Sequence, residues 1–171
     1  MKIFLIGMMG AGKSSIGSIL SKKLGWSFFD TDDLIGVESY LDNYGMDAFR
    51  LEETNQINKI ITNNTDCIIS IGGGAILSGK NRNIMNEHFC IFLKASIDHL
   101  IDRVKDQNIN RPLIKFLNNG DIDRKYFSKI YKQREDYYLD LSDFIINTDS
   151  DTPLNIAMHI KDKIMNHEII N

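Results

Sequence analysis

Five short apolar runs punctuate the chain, at residues 2–6, 28–29, 67–71, 90–93 and 143–146. Each has the length and composition of a buried strand, the run at Phe28-Phe29 being the shortest. Between them, apolar residues recur with a helical period over roughly 14–24, 47–62, 80–87, 96–106, 122–139 and 153–168. In the first of these, Ile16, Ile19, Leu20 and Leu24 share one face. Strands alternating with helices predict an α/β fold, a parallel sheet with helices on both faces. Such sheets bind ligands at the carboxyl ends of their strands. Two stretches stand apart. Residues 31–49 are mixed and partly polar and read as a small substrate-binding flap, reaching to about residue 60 with the helix that follows. Residues 107–121 are rich in Asn, contain Pro112 and read as a mobile surface lid between helices. No repeat, linker or low-complexity tract interrupts this order.

At 171 residues the chain reads as one domain, 1–171, large enough for a core without disulfides or a structural metal. The formal net charge of −3 argues against a general polyanion binder, so no nucleic-acid partner is expected. No apolar run is long enough to span a bilayer, and the start lacks the basic and apolar regions of a signal peptide. The expectation is a cytoplasmic protein with no membrane partner. Cys67 and Cys90 each open an apolar run and read as buried core thiols. His88, His99, His159 and His167 show no ligand spacing with one another or with the cysteines.

Candidate chemistry sharpens this picture at residues 7–14. Gly7-Met8-Met9-Gly10-Ala11-Gly12-Lys13-Ser14 is a complete G-x-x-x-x-G-K-[ST] loop, with a strand before it and a helix after it. Its glycines let backbone N–H groups approach phosphate oxygens, and the helix start adds its positive end. Lys13 supplies a cation for terminal phosphates, and Ser14 a hydroxyl for Mg²⁺. The second strand runs into Asp30-Thr31-Asp32-Asp33. Two acids at i and i+2 can project to one side, one organising Mg²⁺ through water and the other accepting a proton. The same residues also suit a helix N-cap. The third strand runs into Ser70-Ile71-Gly72-Gly73-Gly74-Ala75, where consecutive glycines suit a ligand lying against backbone. No acid ends this strand, so the Asp30 pair has to supply the carboxylate. Arg50, Arg111 and Arg134 offer planar contacts to carboxylate or phosphate.

These motifs, in this order, resemble shikimate kinase: the phosphate loop, Asp-Thr-Asp, Phe-Arg-x-Glu-Glu, Gly-Gly-Gly-Ala, the Arg-Pro-Leu lid and Arg-x-x-Tyr-Tyr. The resemblance runs from Lys2 to about Asp149. It implies a P-loop three-layer α/β/α domain like the nucleoside-monophosphate kinases, with a five-stranded parallel sheet in the order 2-3-1-4-5. It implies transfer of the ATP γ-phosphate to the 3-hydroxyl of shikimate by a monomer. Gly10, Ala11, Gly12, Lys13, Ser14 and Ser15 would bind ATP phosphates. Ser14 would hold Mg²⁺ directly, and Asp30 through water. Asp32 would touch the substrate hydroxyl as base. Arg50 and Arg134 would pair with the shikimate carboxylate, and Gly73, between Gly72 and Gly74, would meet ring hydroxyls through backbone. Arg111 would reach the phosphates as the lid closes, and Arg103 would lie beside adenine. Between Asp32 and Arg50 the chain is about two helical turns shorter than is usual for the family. Met46 stands where an acid is common, and Ser150 where a longer side chain is common. The short segment keeps open a kinase of another hydroxy acid such as gluconate. A nucleotide-dependent regulator would want a base-reading Asn-Lys-x-Asp, but Asn58-Lys59 is followed by Ile60-Ile61. A non-catalytic ATP scaffold would be expected to lose Lys13, Ser14 or an aspartate, and all are present.

Overall fold

A computed structural model describes residues 1–106 and 114–166. The strands are β1 (Lys2–Ile6), β2 (Ser27–Asp30), β3 (Cys67–Ser70), β4 (Phe89–Lys94) and β5 (Phe144–Asn147). They form one sheet in the order β2-β3-β1-β4-β5, every pairing parallel. The helices are α1 (Lys13–Leu24), α2 (Thr31–Ile35), α3 (Val37–Asn63), α4 (Gly79–Met85), α5 (Ile97–Asp106), α6 (Arg124–Leu141) and α7 (Pro153–Met165). Sheet order and alternation follow the expectation.

The strands are apolar on both sides because helices cover both faces. Successive residues of β1 point oppositely. Ile3 and Leu5 enter a core with Ile16 and Leu20 of α1, Leu100 of α5 and Ile160 of α7. Phe4 and Ile6 enter a second core with Ile57 and Ile60 of α3 and Met85 of α4. Cys67 and Cys90 are fully buried in that second core. Each fully buried aliphatic side chain contributes about 1.5–3 kcal/mol, so the sheet is fixed from both sides. α6 alone serves both cores among the described helices. Phe127, Ile130 and Tyr131 belong to the first, and Tyr138 and Leu141 to the second. Arg134 falls between these two sets on α6.

Two segments differ from the sequence expectation, and a third is only partly described. Residues 31–49, read as a mixed and partly polar flap, are helical, as α2 and the first part of α3. That part is joined to the rest of α3 by a kink at Gly45, where φ is 77° and ψ is 177°. Only glycine adopts that conformation readily, so Gly45 bends the helix instead of ending it. Second, Ala75–Leu77 makes a short 3₁₀ turn after the glycines. Third, the lid expectation of 107–121 falls partly outside the described residues. Its described part leads into an antiparallel bridge between Phe116 and Ile122, closed by Leu117 N–H to Asp121 O (2.7 Å). No described helix is long and apolar enough to cross a membrane.

Candidate active site

The carboxyl ends of β1, β2 and β3 open into one cavity of about 1040 Å³. Gly10, Gly12, Lys13, Ser14 and Ser15 line it from the phosphate loop and the start of α1. Ala11 does not: its side chain is buried and its N–H donates to Met8 O (3.2 Å), closing the loop on itself. The Lys13 ammonium donates to Gly7 O (2.9 Å) and Met8 O (3.1 Å), which holds it at the loop's mouth.

Asp30 ends β2 and performs two tasks at once. One carboxylate oxygen accepts from Ser14 Oγ (2.5 Å). The other accepts from Asp32 N–H (3.0 Å) and caps α2. The cap and the pairing with the phosphate-loop serine are therefore compatible readings of one residue. Ser70, level with Asp30 in the sheet, also lines the cavity. This donor set fits Mg²⁺, which takes oxygen ligands, few of them from protein. No cluster of three or more His, Cys, Asp or Glu exists among the described residues to suit a more demanding metal.

The opposite wall is built by distant segments. Arg50 pairs with Glu53 through Nη1 and Oε2 (2.5 Å). Glu53 is completely buried, and its Oε1 has no hydrogen-bond partner. Burial pushes its carboxyl up to about 7; Arg50 opposes the shift and Asp32 reinforces it. Gly72 explains how these acids come together. A Cβ there would lie 2.5 Å from Asp32 Oδ1 and 2.8 Å from Glu53 Oε1. Arg134 is 4% exposed, with Nη1 3.7 Å from Met8 Sδ. Burial lowers its pKa, and the like charge of Arg50 adds to the effect. Two guanidiniums facing one cavity, only one of them ion-paired among the described residues, form a ready site for a carboxylate.

The glycines between these walls are anchored from outside. Gly72 N–H donates to Thr31 Oγ1 (3.2 Å), and Gly73 O accepts from the Tyr138 hydroxyl (2.6 Å). Ala75 O accepts from Asn81 Nδ2 (3.0 Å), while Asn81 Oδ1 accepts from Thr54 Oγ1 (2.7 Å). Gly73 and Gly74 line the cavity with Arg50 and Arg134.

The sequence agrees with this geometry over nearly its whole length. The family model "Shikimate kinase" matches residues 9–165. The chain belongs to the shikimate kinase family. A shikimate kinase of Marinomonas sp. (strain MWYL1) is 33% identical, with 96% of this chain and 92% of that protein covered. One from Wigglesworthia glossinidia brevipalpis is 35% identical, covering 99% of this chain and 94% of that protein. Among solved structures, shikimate kinase from Acinetobacter baumannii in complex with shikimate superposes with a TM-score of 0.84 at 26% identity. That match covers 98% of this chain and 94% of the other. A deoxyadenosine kinase from M. mycoides, 19% identical with a TM-score of 0.65, shares the fold.

Within this shikimate kinase fold, Asp32, Arg50, Gly72, Gly73, Gly74 and Arg134 meet the phosphate loop in one cavity. Arg103 lies elsewhere. Its guanidinium donates to Thr148 Oγ1 (3.0 Å), to Thr148 O and to Gly10 O (3.4 Å), tying α5 to the residues after β5. Arg111 lies outside the described residues. Sequence reasoning gave Glu53 no role of its own, although it lies in the Phe-Arg-x-Glu-Glu stretch three residues after Arg50. It also missed Phe49, which lines the cavity beneath Arg50 with the guanidinium 5.3 Å from its ring centre. Tyr40 braces that wall across the kink, its ring 4.8 Å from Tyr44 and 6.3 Å from Phe49.

Proposed function

We propose that this chain transfers the γ-phosphate of ATP to the 3-hydroxyl of shikimate, giving shikimate 3-phosphate and ADP. The observation that carries the reading is the shared cavity. A phosphate loop with Lys13 and Ser14 faces a carboxylate, Asp32, and two guanidiniums, Arg50 and Arg134. That set matches an acceptor with one carboxylate and several hydroxyls.

Gly10 to Ser15 hold the phosphates, and Lys13 moves from its loop carbonyls to their oxygens. Ser14 would hold Mg²⁺ by its hydroxyl and Asp30 through water; when bound, the ion neutralises phosphate charge. Arg50 and Arg134 fix the acceptor carboxylate, the backbone of Gly72 to Gly74 meets its hydroxyls, and Asp32 accepts the proton of the reacting one. Arg103 borders the adenine side, and Arg111 joins the phosphates from the lid over 107–121. Catalysis is mainly positioning and charge neutralisation. A monomer, folded as a single domain and working in the cytoplasm without nucleic-acid or membrane partners, completes the reading. The test is ADP release from Mg-ATP with shikimate, gluconate or a nucleoside monophosphate in parallel. Shikimate-dependent release is expected, and its absence overturns the proposal.

A further inference from the structure

We infer that Tyr138 is a positioning residue for the acceptor. Its hydroxyl ties the Gly73 carbonyl to the neighbourhood of Arg134 and so fixes the spacing between the loop that meets the acceptor's hydroxyls and the guanidinium that meets its carboxylate. The inference rests on the acceptor reading given above.

The middle of the glycine loop is its weakest point. Thr31 holds one end at Gly72, and Asn81 holds the other at Ala75. Between them lies a Gly73-Gly74 peptide with no side chain on either flank to resist rotation of its plane. Tyr138 supplies that resistance. Its ring is 1% exposed and stacks on Phe92, with centroids 5.1 Å apart and planes 24° apart. Its single hydroxyl proton is committed to Gly73 O at 2.6 Å. In a trans peptide the carbonyl and the following N–H point in opposite directions. Holding the Gly73 carbonyl toward α6 therefore aims the Gly74 N–H away from Tyr138. The nearest neighbour of a Cβ at Gly74 would be the Arg50 guanidinium, so the loop also lies against Arg50.

The same hydroxyl sits beside Arg134, one turn earlier on α6. Having given its proton to Gly73, it presents lone pairs to that guanidinium. One oxygen thus couples two groups that recognise different ends of one acceptor. Burial pushes the phenol further above its ordinary value, so it stays a donor at working pH. Phenylalanine would fill the same space and keep the stack, but would leave the Gly73 carbonyl unpaired.

The experiment compares Tyr138→Phe, Phe92→Leu and Arg134→Lys by steady-state kinetics against each substrate, with melting temperatures. Tyr138→Phe should raise the KM for shikimate roughly tenfold, the loss of about one buried hydrogen bond, with the KM for ATP little changed. Phe92→Leu removes the stacked ring but keeps the hydroxyl, so it should lower the melting temperature without that split in KM. Combined with Arg134→Lys, Tyr138→Phe should cost less than the product of the two single effects, because both act on one contact. Equal KM changes in Tyr138→Phe and Phe92→Leu would show that Tyr138 only packs, and overturn the inference. If Arg134→Lys raises the shikimate KM while Tyr138→Phe does not, this inference alone falls. An unchanged shikimate KM in Arg134→Lys overturns the acceptor reading, and the inference with it.

Discussion

Asp32 and Glu53 approach each other across Gly72, and the two carboxylates do different work. Asp32 faces the cavity beside the phosphate loop, where the proposed transfer needs a base. Asp32→Asn should lower kcat by about 10²–10⁴-fold, the usual range for a lost general base, while the KM for ATP changes little. Ordinary turnover in that variant would remove Asp32 from the role. Glu53 works through charge. Its carboxyl ionises near 7 in the folded chain, against an ordinary 4.5. Between those values the folded state holds a proton that the unfolded chain has released, so this group's contribution is complete below pH 4.5 and is lost as pH rises through 7. Glu53→Gln should flatten that slope, so the melting temperature of the parent falls relative to the variant between pH 5 and 8. A constant difference would place the titration elsewhere. A bound carboxylate near Arg50 also favours protonated Glu53, so the shikimate KM should rise with pH above about 7 in the parent and stay level in the variant. Sequence alone did not show Glu53's part. An acid three residues after an arginine reads as a surface ion pair, and its burial depends on Gly72, far along the chain.

At the scale of elements, α3 carries the main surprise. Val37 and Leu41 are one helical turn apart, as are Tyr40 and Tyr44, so the helical period was present before residue 47. Gly36 and Gly45 hid it, because a glycine near a helix end ordinarily reads as a stop. Gly45 instead turns the axis, and the bend lets Tyr40 reach back to Phe49 while Val37 and Leu41 line the cavity. A Cβ at Gly45 would meet nothing within 4 Å. The cost of Gly45→Ala is therefore purely conformational, about 1–3 kcal/mol for a residue forced into that region. The variant should melt lower and show a raised shikimate KM. Equal stability and KM would mean that the kink is incidental. By contrast, β1, the phosphate loop and α1 were fully legible. Their pattern is local, each residue acting on neighbours a few positions away.

The whole molecule divides along the same line. The phosphate loop at the centre of the proposed donor side is one continuous segment, from β1 through the loop into α1. The proposed acceptor side is assembled from the start of α2, from α3, from the loop after β3 and from α6, the last three meeting over the second core. α6 packs into both cores and delivers Arg134 from between them. A carboxylate held by Arg50 and Arg134 would therefore cross-link α3 and α6 directly, two elements that both pack against the turn after the glycines. Ligands that bind the folded state stabilise it by mass action, by about 2.7 kcal/mol at a hundred times Kd. The two ligands should distribute that gain differently in hydrogen exchange. ATP should slow exchange in residues 7–17. Shikimate should slow it in the first half of α3 and around residues 130–138 of α6, with little effect on the phosphate loop. Shikimate protection confined to α3 would remove Arg134 from the acceptor site. Equal protection of α3 by ATP alone would mean that this helix responds to the donor, and that Arg50 serves the phosphates instead of the acceptor's carboxylate.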